Sequence, residues 1–444
     1  MDIEKISQFN PWWKGKELIE KDFDIMRLKE RKYSWFPNII DKIDIKPFSL
    51  HTLIGPRQTG KTTATKLLIK KLLNSRKAES LFYFNCEELA DFKEVLDVLN
   101  SYLSFKEAND IKSSVIFLDE ITSPKEWYKA IKSLLDKGAL KNDVIVLTGS
   151  SSMMIKREIE LFPGRRGYGK DFVLYPLSFR EFLSIKNPVL YKKINPLGSL
   201  QNLQKLEKYV IYTNELNHEL AEFIKSGGFP LSIGISDVER NTAKQIYLSW
   251  IKNALLKADR SDVIARQIIK AVVEKMPSAI SWEGVSKEIE IKSPKTVSAY
   301  IETFHSMFAI NILHNIDINS KKIKFGRNKK IHFIDPLLFE ICENWCMLSI
   351  KNRESIIMES LMVSHLFRMF PENVYFWKNG MEIDALVHIN EKIYGFEMKW
   401  SDNPDIKMSK LPSQIKNFAV FSKTKFRKNP LIIPLSVFLS AIDV

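Results

Sequence analysis

The residues with the clearest chemical potential form a glycine-rich segment, which comprises Gly55, Pro56, Arg57, Gln58, Thr59, Gly60, Lys61, Thr62 and Thr63. This spacing is the P-loop pattern, in which the N–H groups of the turn surround phosphates and the lysine reaches the β- and γ-phosphates. The hydroxyl that follows the lysine is placed to ligate Mg²⁺. A chance glycine turn is the alternative, but an apolar strand before the segment and a helix after it favour the P-loop. We therefore expect ATP and Mg²⁺ here, with Lys61 on the phosphates and Thr62 on the metal ion.

Two carboxylates follow an apolar run at residues 115–118, which predicts a buried strand. Asp119 and Glu120 emerge at its carboxyl end, the end of a parallel sheet where ligands bind. We expect Asp119 to hold Mg²⁺ through water. We expect Glu120 to orient or deprotonate the water that attacks the phosphate. The alternative is that the acidic pair only caps the next helix.

Two further motifs could contact the reacting phosphate. Thr148 follows another apolar run, so its hydroxyl could touch the γ-phosphate or the attacking water; a polar turn is the alternative. Arg165 and Arg166 lie between two glycines, and either could act as an arginine finger on the transferring phosphate. Both arginines could equally bind a backbone phosphate or form a solvated turn.

Strands and helices in alternation must position these residues. Four apolar runs predict buried strands, at residues 53–54, 81–84, 115–118 and 144–147. Helical spacing occupies the segments between them, at residues 61–73, 87–103 and 125–137. This alternation predicts an α/β fold with a parallel sheet covered by helices on both faces.

Composition is typical of a globular protein with several domains, since 45% of the 444 residues are hydrophobic and 27% are charged. No apolar run reaches the roughly 18 residues that span a bilayer, and the first residues do not resemble a secretory signal. The three cysteines cannot form a disulfide framework, so we expect a cytoplasmic protein without a membrane partner. Cys342 and Cys346 are spaced for packing on one helix. A net charge of +14 favours DNA or RNA as partner, although a solvated basic surface explains it equally well.

A basic segment predicts a nucleic-acid interface. Ser293 and Pro294 form a good helix start, and a shorter helix at residues 282–289 precedes it. The second helix would direct Lys295 and Thr296 outward and bury Val297, Tyr300, Ile301, Phe304 and Phe308. Two short strands can then pair around a basic loop that contains Lys321, Lys322, Lys324, Arg327, Lys329 and Lys330. This arrangement predicts a winged helix whose wing contacts phosphates, with a protein-docking winged helix as the alternative.

The last hundred residues carry a second set of charged side chains. Glu382 and Asp384 share one face of a predicted strand, and Glu397 with Lys399 repeats this spacing on the next strand. A turn would bring the two pairs together, and Glu359 lies on a helix upstream. Carboxylates from adjacent strands are ligands of the type that Mg²⁺ or Mn²⁺ prefers, so Asp384 and Glu397 could bind a second divalent metal. The alternative is an exposed hairpin with a surface ion pair between Asp384 and Lys399.

The whole set of motifs resembles archaeal P-loop ATPases of the AAA+/STAND-like group. The resemblance rests on Asn10-Pro11-Trp12-Trp13, the P-loop, residues 118–122, 147–151, 162–167 and 175–182, and on Gly227-Gly228-Phe229-Pro230, Phe333-Ile334-Asp335-Pro336 and Glu397-Met398-Lys399. It implies ATP and Mg²⁺ binding, a winged helix, and a nuclease-like C-terminal domain. The C-terminal set itself resembles the PD-(D/E)XK nuclease fold, although no proline precedes Asp384.

The resemblance divides the chain into four parts: residues 1–175 as leader and ATPase core, 176–261 as helical lid, 262–335 as winged helix, and 336–444 as nuclease-like domain. Two functions remain open. The chain could be an ATPase associated with DNA, or a STAND-like nucleotide switch whose later domains hold protein partners and whose assembly, including a homo-oligomer, depends on ATP.

Overall fold

The computed structural model describes residues 2–150, 158, 162–291, 293–405 and 411–443. The chain falls into two compact units, residues 1–175 and 176–444. The division lies at the predicted end of the ATPase core. The finer division of the second unit into three domains stays a prediction.

The first unit is built on a parallel five-stranded sheet with the order β2-β3-β4-β1-β5. Its strands are β1 (Ser49–Ile54), β2 (Leu81–Asn85), β3 (Val115–Asp119), β4 (Val144–Gly149) and β5 (Asp171–Val173). The first four are buried at nearly every position, as expected of parallel strands covered on both faces. The predicted α/β fold with a parallel sheet is confirmed, and β5 is an additional short edge strand.

Helices and single turns connect these strands. The described α-helices of the unit are Ile3–Ser7, Phe23–Glu30, Ile39–Lys42, Lys61–Leu72, Phe92–Ala108 and Tyr128–Asp136, and the 3₁₀ turns are Pro11–Trp13, Lys16–Lys21 and Ala78–Ser80. The helix after the P-loop lies where it was predicted. The helix after β2 begins five residues later than predicted because the Asp91 side chain accepts the N–H groups of Lys93 and Glu94, which is an N-cap geometry.

The aromatic leader, residues 1–50, covers one edge of this sheet. Asn10 accepts the N–H of Tyr83 at 2.7 Å and donates to the Tyr83 carbonyl at 2.9 Å. The indole N–H groups of Trp12 and Trp13 both donate to the Leu81 carbonyl, at 2.9 and 3.1 Å. Since β2 is an edge strand, these side chains satisfy backbone groups that would otherwise attract another strand.

The second unit begins with helices, as expected. The α-helices up to residue 260 are Phe179–Lys186, Pro188–Lys193, Thr213–Ser226 and Asp237–Lys257, and the 3₁₀ segments are Leu200–Tyr212 and Pro230–Ser232. Three helices and a hairpin follow: Asp262–Lys275, Trp282–Glu288, Pro294–Ser306, β6 (Ile310–His314) and β7 (Lys329–Phe333). The antiparallel pairing of β6 and β7 and the burial of Val297, Tyr300, Ile301, Phe304 and Phe308 agree with the expected layout.

The unit ends in a six-stranded sheet with the order β12-β13-β11-β10-β9-β8. Its strands are β8 (Val374–Asn379), β9 (Met381–Ile389), β10 (Lys392–Met398), β11 (Asn417–Ser422), β12 (Arg427–Lys428) and β13 (Leu431–Pro434), and its helices are Leu337–Cys346, Arg353–Met369 and Leu435–Ala441. Strands β9 and β10 and the turn at Asn390 and Glu391 were predicted; the other four strands were not. Cys342 and Cys346 are buried neighbours on one helix, with their sulfur atoms 3.8 Å apart.

The connection between β6 and β7 packs against this last sheet. Ile316 and Ile318 share a buried apolar cluster with Ile383, Leu386 and Ile393. The backbone of Ile316 also donates to the Phe376 carbonyl at 3.1 Å. The loop between the two strands is therefore packed against the last sheet and is not a free basic arm.

The carboxylate of Asp335 links the segment 227–230 to the segment 333–337 in the second unit. Asp335 accepts the N–H of Gly228 at 2.7 Å and the N–H of Leu337 at 2.9 Å. A Cβ atom on Gly227 would clash with the Asp335 carboxylate, so glycine is required there. Burial raises the pKa of Asp335 to about 6, although the two backbone hydrogen bonds oppose the rise.

Candidate functional site

The P-loop is a tight turn whose lysine folds back onto it. Gly60 has φ +90° and is the residue before the helix that starts at Lys61. The Lys61 ammonium donates to the carbonyls of Gly55 and Pro56, at 3.1 and 2.9 Å. Burial lowers the pKa of Lys61, while the nearby carboxylates of Glu120 and Asp119 oppose that effect. An arriving phosphate would replace carbonyls that are weaker partners for an ammonium group.

Asp119 is fully buried and accepts three hydroxyl donors. Thr62 Oγ1 donates to its Oδ2 at 2.6 Å, and Tyr83 Oη donates to the same oxygen at 2.9 Å. Thr148 Oγ1 donates to Oδ1. The structure therefore brings together the expected metal-binding pair, Thr62 and Asp119. Hydroxyl and carboxylate oxygens are the donor set that Mg²⁺ prefers, so these residues fit that ion.

Glu120 stands at the end of β3 in a left-handed conformation, with φ +50°. Its N–H donates to Thr148 Oγ1 at 3.0 Å, and its Oε2 accepts from Ser150 Oγ at 3.4 Å. Arg57 Nε in turn lies 3.5 Å from Ser150 Oγ. The side chain is only partly buried, so its carboxylate can accept a proton from a water molecule. Glu120 thus contacts Thr148 directly and the P-loop residue Arg57 through Ser150.

The two candidate finger arginines have partners within their own unit. Arg165 pairs with Asp136. Arg166 donates to Asp171 Oδ1 at 2.6 Å and to the Leu50 carbonyl at 3.4 Å, which links the segment before β5 to β1. Arg166 therefore has a structural role here. A finger role for either arginine stays a prediction and requires release of these pairs.

Sequence reasoning missed Tyr83 and Lys66. Tyr83 is the donor on Asp119 described above, and Lys66 Nζ lies 3.5 Å from the centre of the Tyr83 ring and 3.2 Å from Asp22 Oδ2. One signal was present: a tyrosine in the apolar strand of residues 81–84 has a polar hydroxyl that must find a partner when buried.

The residues expected to contact nucleic acid fall into three groups in the structure: exposed, ion-paired and buried. Lys295, Lys322 and Arg327 are exposed, and Thr296 is partly exposed. Lys321 pairs with Glu391, and Lys324 lies 2.8 Å from Asp317 Oδ2. Lys329 and Lys330 were expected on an exposed loop, and this was wrong: both are buried residues of β7. As neighbours on a strand they point to opposite faces. Lys329 donates to the Phe325 carbonyl at 2.7 Å, whereas Lys330 contacts buried carboxylates.

Lys330 lies within the C-terminal carboxylate set. Its ammonium is 2.7 Å from Glu359 Oε1, 3.0 Å from Glu382 Oε1 and 3.0 Å from Asp384 Oδ1. Burial alone would lower the pKa of Lys330, but the carboxylates of Asp384, Glu359 and Glu382 raise it above its usual range. Burial, and next the charge of Asp384, raise the pKa of Glu359 to about 8.

The structure does not show the predicted divalent-metal site at Asp384 and Glu397, which stays a prediction. Asp384 Oδ2 accepts the Met398 N–H at 2.9 Å, and Glu397 pairs with Lys399 at 2.7 Å. Across the described ranges, no group of three or more His, Cys, Asp or Glu side chains is arranged to hold a metal ion. Each of the two carboxylates has a lysine partner in this structure: Lys330 contacts Asp384 and Lys399 contacts Glu397. The alternative ion pair, between Asp384 and Lys399, is not formed either, since each has another partner. A cavity of about 700 Å³ borders Glu359, Asp384 and Lys399.

Parts of the chain are similar to known proteins. Residues 48–183 match the model of the AAA domain. An uncharacterized protein of Methanocaldococcus jannaschii is 27% identical over 364 residues, which cover 78% of this chain and 74% of that protein. An uncharacterized protein of Haemophilus influenzae is 26% identical over 55% of this chain and 56% of its own length. The chaperone protein ClpB of Malacoplasma penetrans is 24% identical over 49% of this chain and 34% of its own length.

Two solved structures are similar at a lower level. The ORC2 protein of Aeropyrum pernix, as ADPNP-ADP complexes, is 12% identical and covers 67% of this chain and 88% of its own, with a TM-score of 0.36. CDC6P of Pyrobaculum aerophilum is 11% identical and covers 67% of this chain and 87% of its own, with a TM-score of 0.26. At these values the likeness carries no functional assignment.

A separate finding concerns membranes: none of the helices in the described ranges has the length and apolarity to cross a bilayer. The motifs at residues 55–63 and 115–120 lie inside the matched segment, and their side chains converge on Asp119 and Lys61. The segment of residues 48–183 is therefore similar to the AAA domain, and the first unit has the α/β fold of a P-loop ATPase.

Proposed function

We propose that this protein is a Mg²⁺-dependent ATPase whose turnover is linked to nucleic acid, with DNA as the leading partner. The observation that carries the proposal is the convergence on Asp119. Its carboxylate receives hydroxyls from Thr62, at the start of the P-loop helix, and from Thr148, at the end of β4. A nucleotide site requires this meeting of a phosphate-binding turn and a metal-binding carboxylate.

Each residue then has a defined task. The Lys61 ammonium turns from the Gly55 and Pro56 carbonyls to the β- and γ-phosphates. Thr62 and Asp119 would hold Mg²⁺, which supplies charge neutralisation on the phosphates when bound. Glu120 accepts the proton of the attacking water, because it stands beside that carboxylate and is partly open to solvent. Thr148 links the Asp119 carboxylate to the backbone N–H of Glu120 through its single hydroxyl.

Association with nucleic acid is supported by the second unit and by overall charge. The helix Pro294–Ser306 has the exposed Lys295 in its first turn, and the loop before β7 exposes Lys322 and Arg327. A net charge of +14 favours a polyanion over a neutral protein partner. Phosphate contacts from such exposed cations position a nucleic acid without reading its sequence.

The test is steady-state ATP hydrolysis by the full chain with Mg²⁺, measured without nucleic acid and with saturating duplex or single-stranded DNA. We expect hydrolysis that DNA stimulates at low salt and that rising salt returns to the basal rate. Absence of hydrolysis in all conditions would remove the enzymatic part. Hydrolysis that no oligonucleotide changes, together with ATP-dependent assembly into oligomers, would establish the nucleotide-switch alternative instead.

A further inference from the structure

Tyr83 occupies a central position between the leader and the nucleotide site. It lies on β2, is 4% exposed, and donates its hydroxyl to Asp119 Oδ2 at 2.9 Å. The same oxygen accepts from Thr62 Oγ1 at 2.6 Å. Rotation of the Asp119 carboxylate would therefore break two hydrogen bonds at one oxygen.

The ring of Tyr83 is held by a buried cation. Lys66 Nζ lies 3.5 Å from the ring centre, 5.0 Å from the ring centre of Trp12 and 3.2 Å from Asp22 Oδ2. A buried ammonium requires such compensation, and the two aromatic faces and the carboxylate provide it. Since Lys66 belongs to the P-loop helix, the ring of Tyr83 is fixed to the element that carries Lys61 and Thr62.

The backbone of Tyr83 is held as well. Asn10 accepts its N–H and donates to its carbonyl, at 2.7 and 2.9 Å. Backbone, ring and hydroxyl are thus restrained by three different partners: Asn10 of the leader, Lys66 of the P-loop helix, and Asp119 at the end of β3. Packing alone does not require the last of these contacts, since a phenylalanine would fill the same volume.

We propose that Tyr83 is a positioning residue for the nucleotide-bound metal ion: it fixes the orientation in which Asp119, with Thr62, receives Mg²⁺. This inference rests on the Mg²⁺-dependent nucleotide use proposed above. Lys66 and Asn10 affect Asp119 only indirectly, because they contact Tyr83 and restrain it. The leader is consequently part of the nucleotide site in function, although it lies outside the segment that matches the AAA domain.

The experiment measures binding of fluorescent N-methylanthraniloyl-ADP to the full chain, once with Mg²⁺ and once with EDTA. The ratio of the two dissociation constants reports how well the protein places the metal ion, without any turnover. For Tyr83→Phe we expect the Mg²⁺-dependent gain in affinity to fall roughly tenfold, in keeping with loss of one hydrogen bond to a carboxylate. Affinity in EDTA should stay at the wild-type value. Lys66→Met should reduce the gain by a smaller factor.

Tyr102→Phe is the matched control. Tyr102 is also buried and stacks on Phe82 with ring centres 4.2 Å apart, but its hydroxyl donates to the Glu79 carbonyl. This variant should keep the wild-type ratio. An unchanged ratio in Tyr83→Phe, or an equal loss in Tyr102→Phe, would overturn the inference. A wild-type protein that gains nothing from Mg²⁺ would instead overturn the proposed Mg²⁺-dependent function, and the inference with it. Circular dichroism spectra of all variants establish that each is folded.

Discussion

The hydroxyl of Thr148 receives the backbone N–H of Glu120 at 3.0 Å and donates its own hydrogen to Asp119. This one side chain, at the end of β4, therefore fixes both acidic residues at the end of β3. Glu120, whose N–H makes this hydrogen bond, has a left-handed backbone conformation. The relative position of the candidate metal carboxylate and the candidate base consequently depends on the neighbouring strand.

Removal of the Thr148 hydroxyl should therefore slow turnover. In Thr148→Val the Glu120 N–H and the Asp119 Oδ1 are both deprived of a partner, and we expect kcat to fall about tenfold or more. Nucleotide binding should change little, because Lys61 and the P-loop are intact. Thr148→Ser keeps the hydroxyl and serves as the control. A wild-type kcat in Thr148→Val would show that the hydroxyl has no catalytic consequence.

Binding and chemistry should separate in two other variants. Lys61→Ala removes the charge that faces the phosphates and should weaken ATP binding. Glu120→Gln keeps the shape of the side chain but cannot accept a proton, so binding should persist while turnover falls by about 10² or more. Equilibrium binding and single-turnover hydrolysis distinguish the two effects. Normal turnover in Glu120→Gln would remove this residue from the role of base.

Charge reversal on the exposed cations of the second unit should weaken DNA binding. The triple variant Lys295→Glu, Lys322→Glu, Arg327→Glu should bind all DNA sequences less tightly, and its salt slope should decrease by about 0.9 for each phosphate that the protein no longer neutralises. Fluorescence anisotropy from low to moderate salt measures both quantities. The control reverses three exposed lysines of the first unit, Lys93, Lys137 and Lys141, and has the same net charge. Equal binding by wild type and the first variant at low salt would favour protein docking.

Lys330 should be far more important for stability than its exposed neighbour in the same hairpin. In Lys330→Met the carboxylates of Glu359, Glu382 and Asp384 are left without their shared cation, which should cost about 3–5 kcal/mol of unfolding free energy. Lys322→Met, at an exposed position, should stay within about 0.5 kcal/mol of wild type. Urea unfolding followed by circular dichroism measures the difference. Equal stability of the two variants would contradict the assignment of Lys330 as the internal counter-charge.

Asp335 should make the second unit less stable as pH rises through the mildly acidic range. Its pKa is raised from 3.8 to about 6 in the folded chain, so the folded state binds more protons between these values. The stabilisation of the folded state by protonated Asp335 is fully present below about pH 4 and is lost as pH rises through 6. The pKa shift of about 2.2 units limits this contribution to the free energy of unfolding to about 3 kcal/mol. Thermal unfolding of Asp335→Asn between pH 4 and 7 should therefore depend less on pH than that of wild type. Asp405→Asn, at an exposed position of the same unit, should follow wild type; identical pH dependence in all three proteins would refute the prediction.

The sequence by itself determined the features that depend on local spacing. A glycine turn must be short and must precede a helix to surround phosphates, so residues 55–62 predicted both the ligand and the elements around it. Asp119 and Glu120 could be placed at the carboxyl end of a parallel strand because an apolar run of strand length precedes them. The pairing of β9 with β10, and the shared face of Glu382 and Asp384, followed from the period of two along a strand.

Tertiary structure decided the features that join distant parts of the chain. Tyr83 meets Asp119 only because β2 and β3 are neighbours in the sheet, and Asn10 meets Tyr83 only because the leader covers the edge of β2. Lys330 looked like one more cation of a basic loop, and only the packing of β7 near the last sheet shows it among three carboxylates. A charged side chain is buried only where an oppositely charged group compensates it, and the residues near it in sequence do not identify that partner.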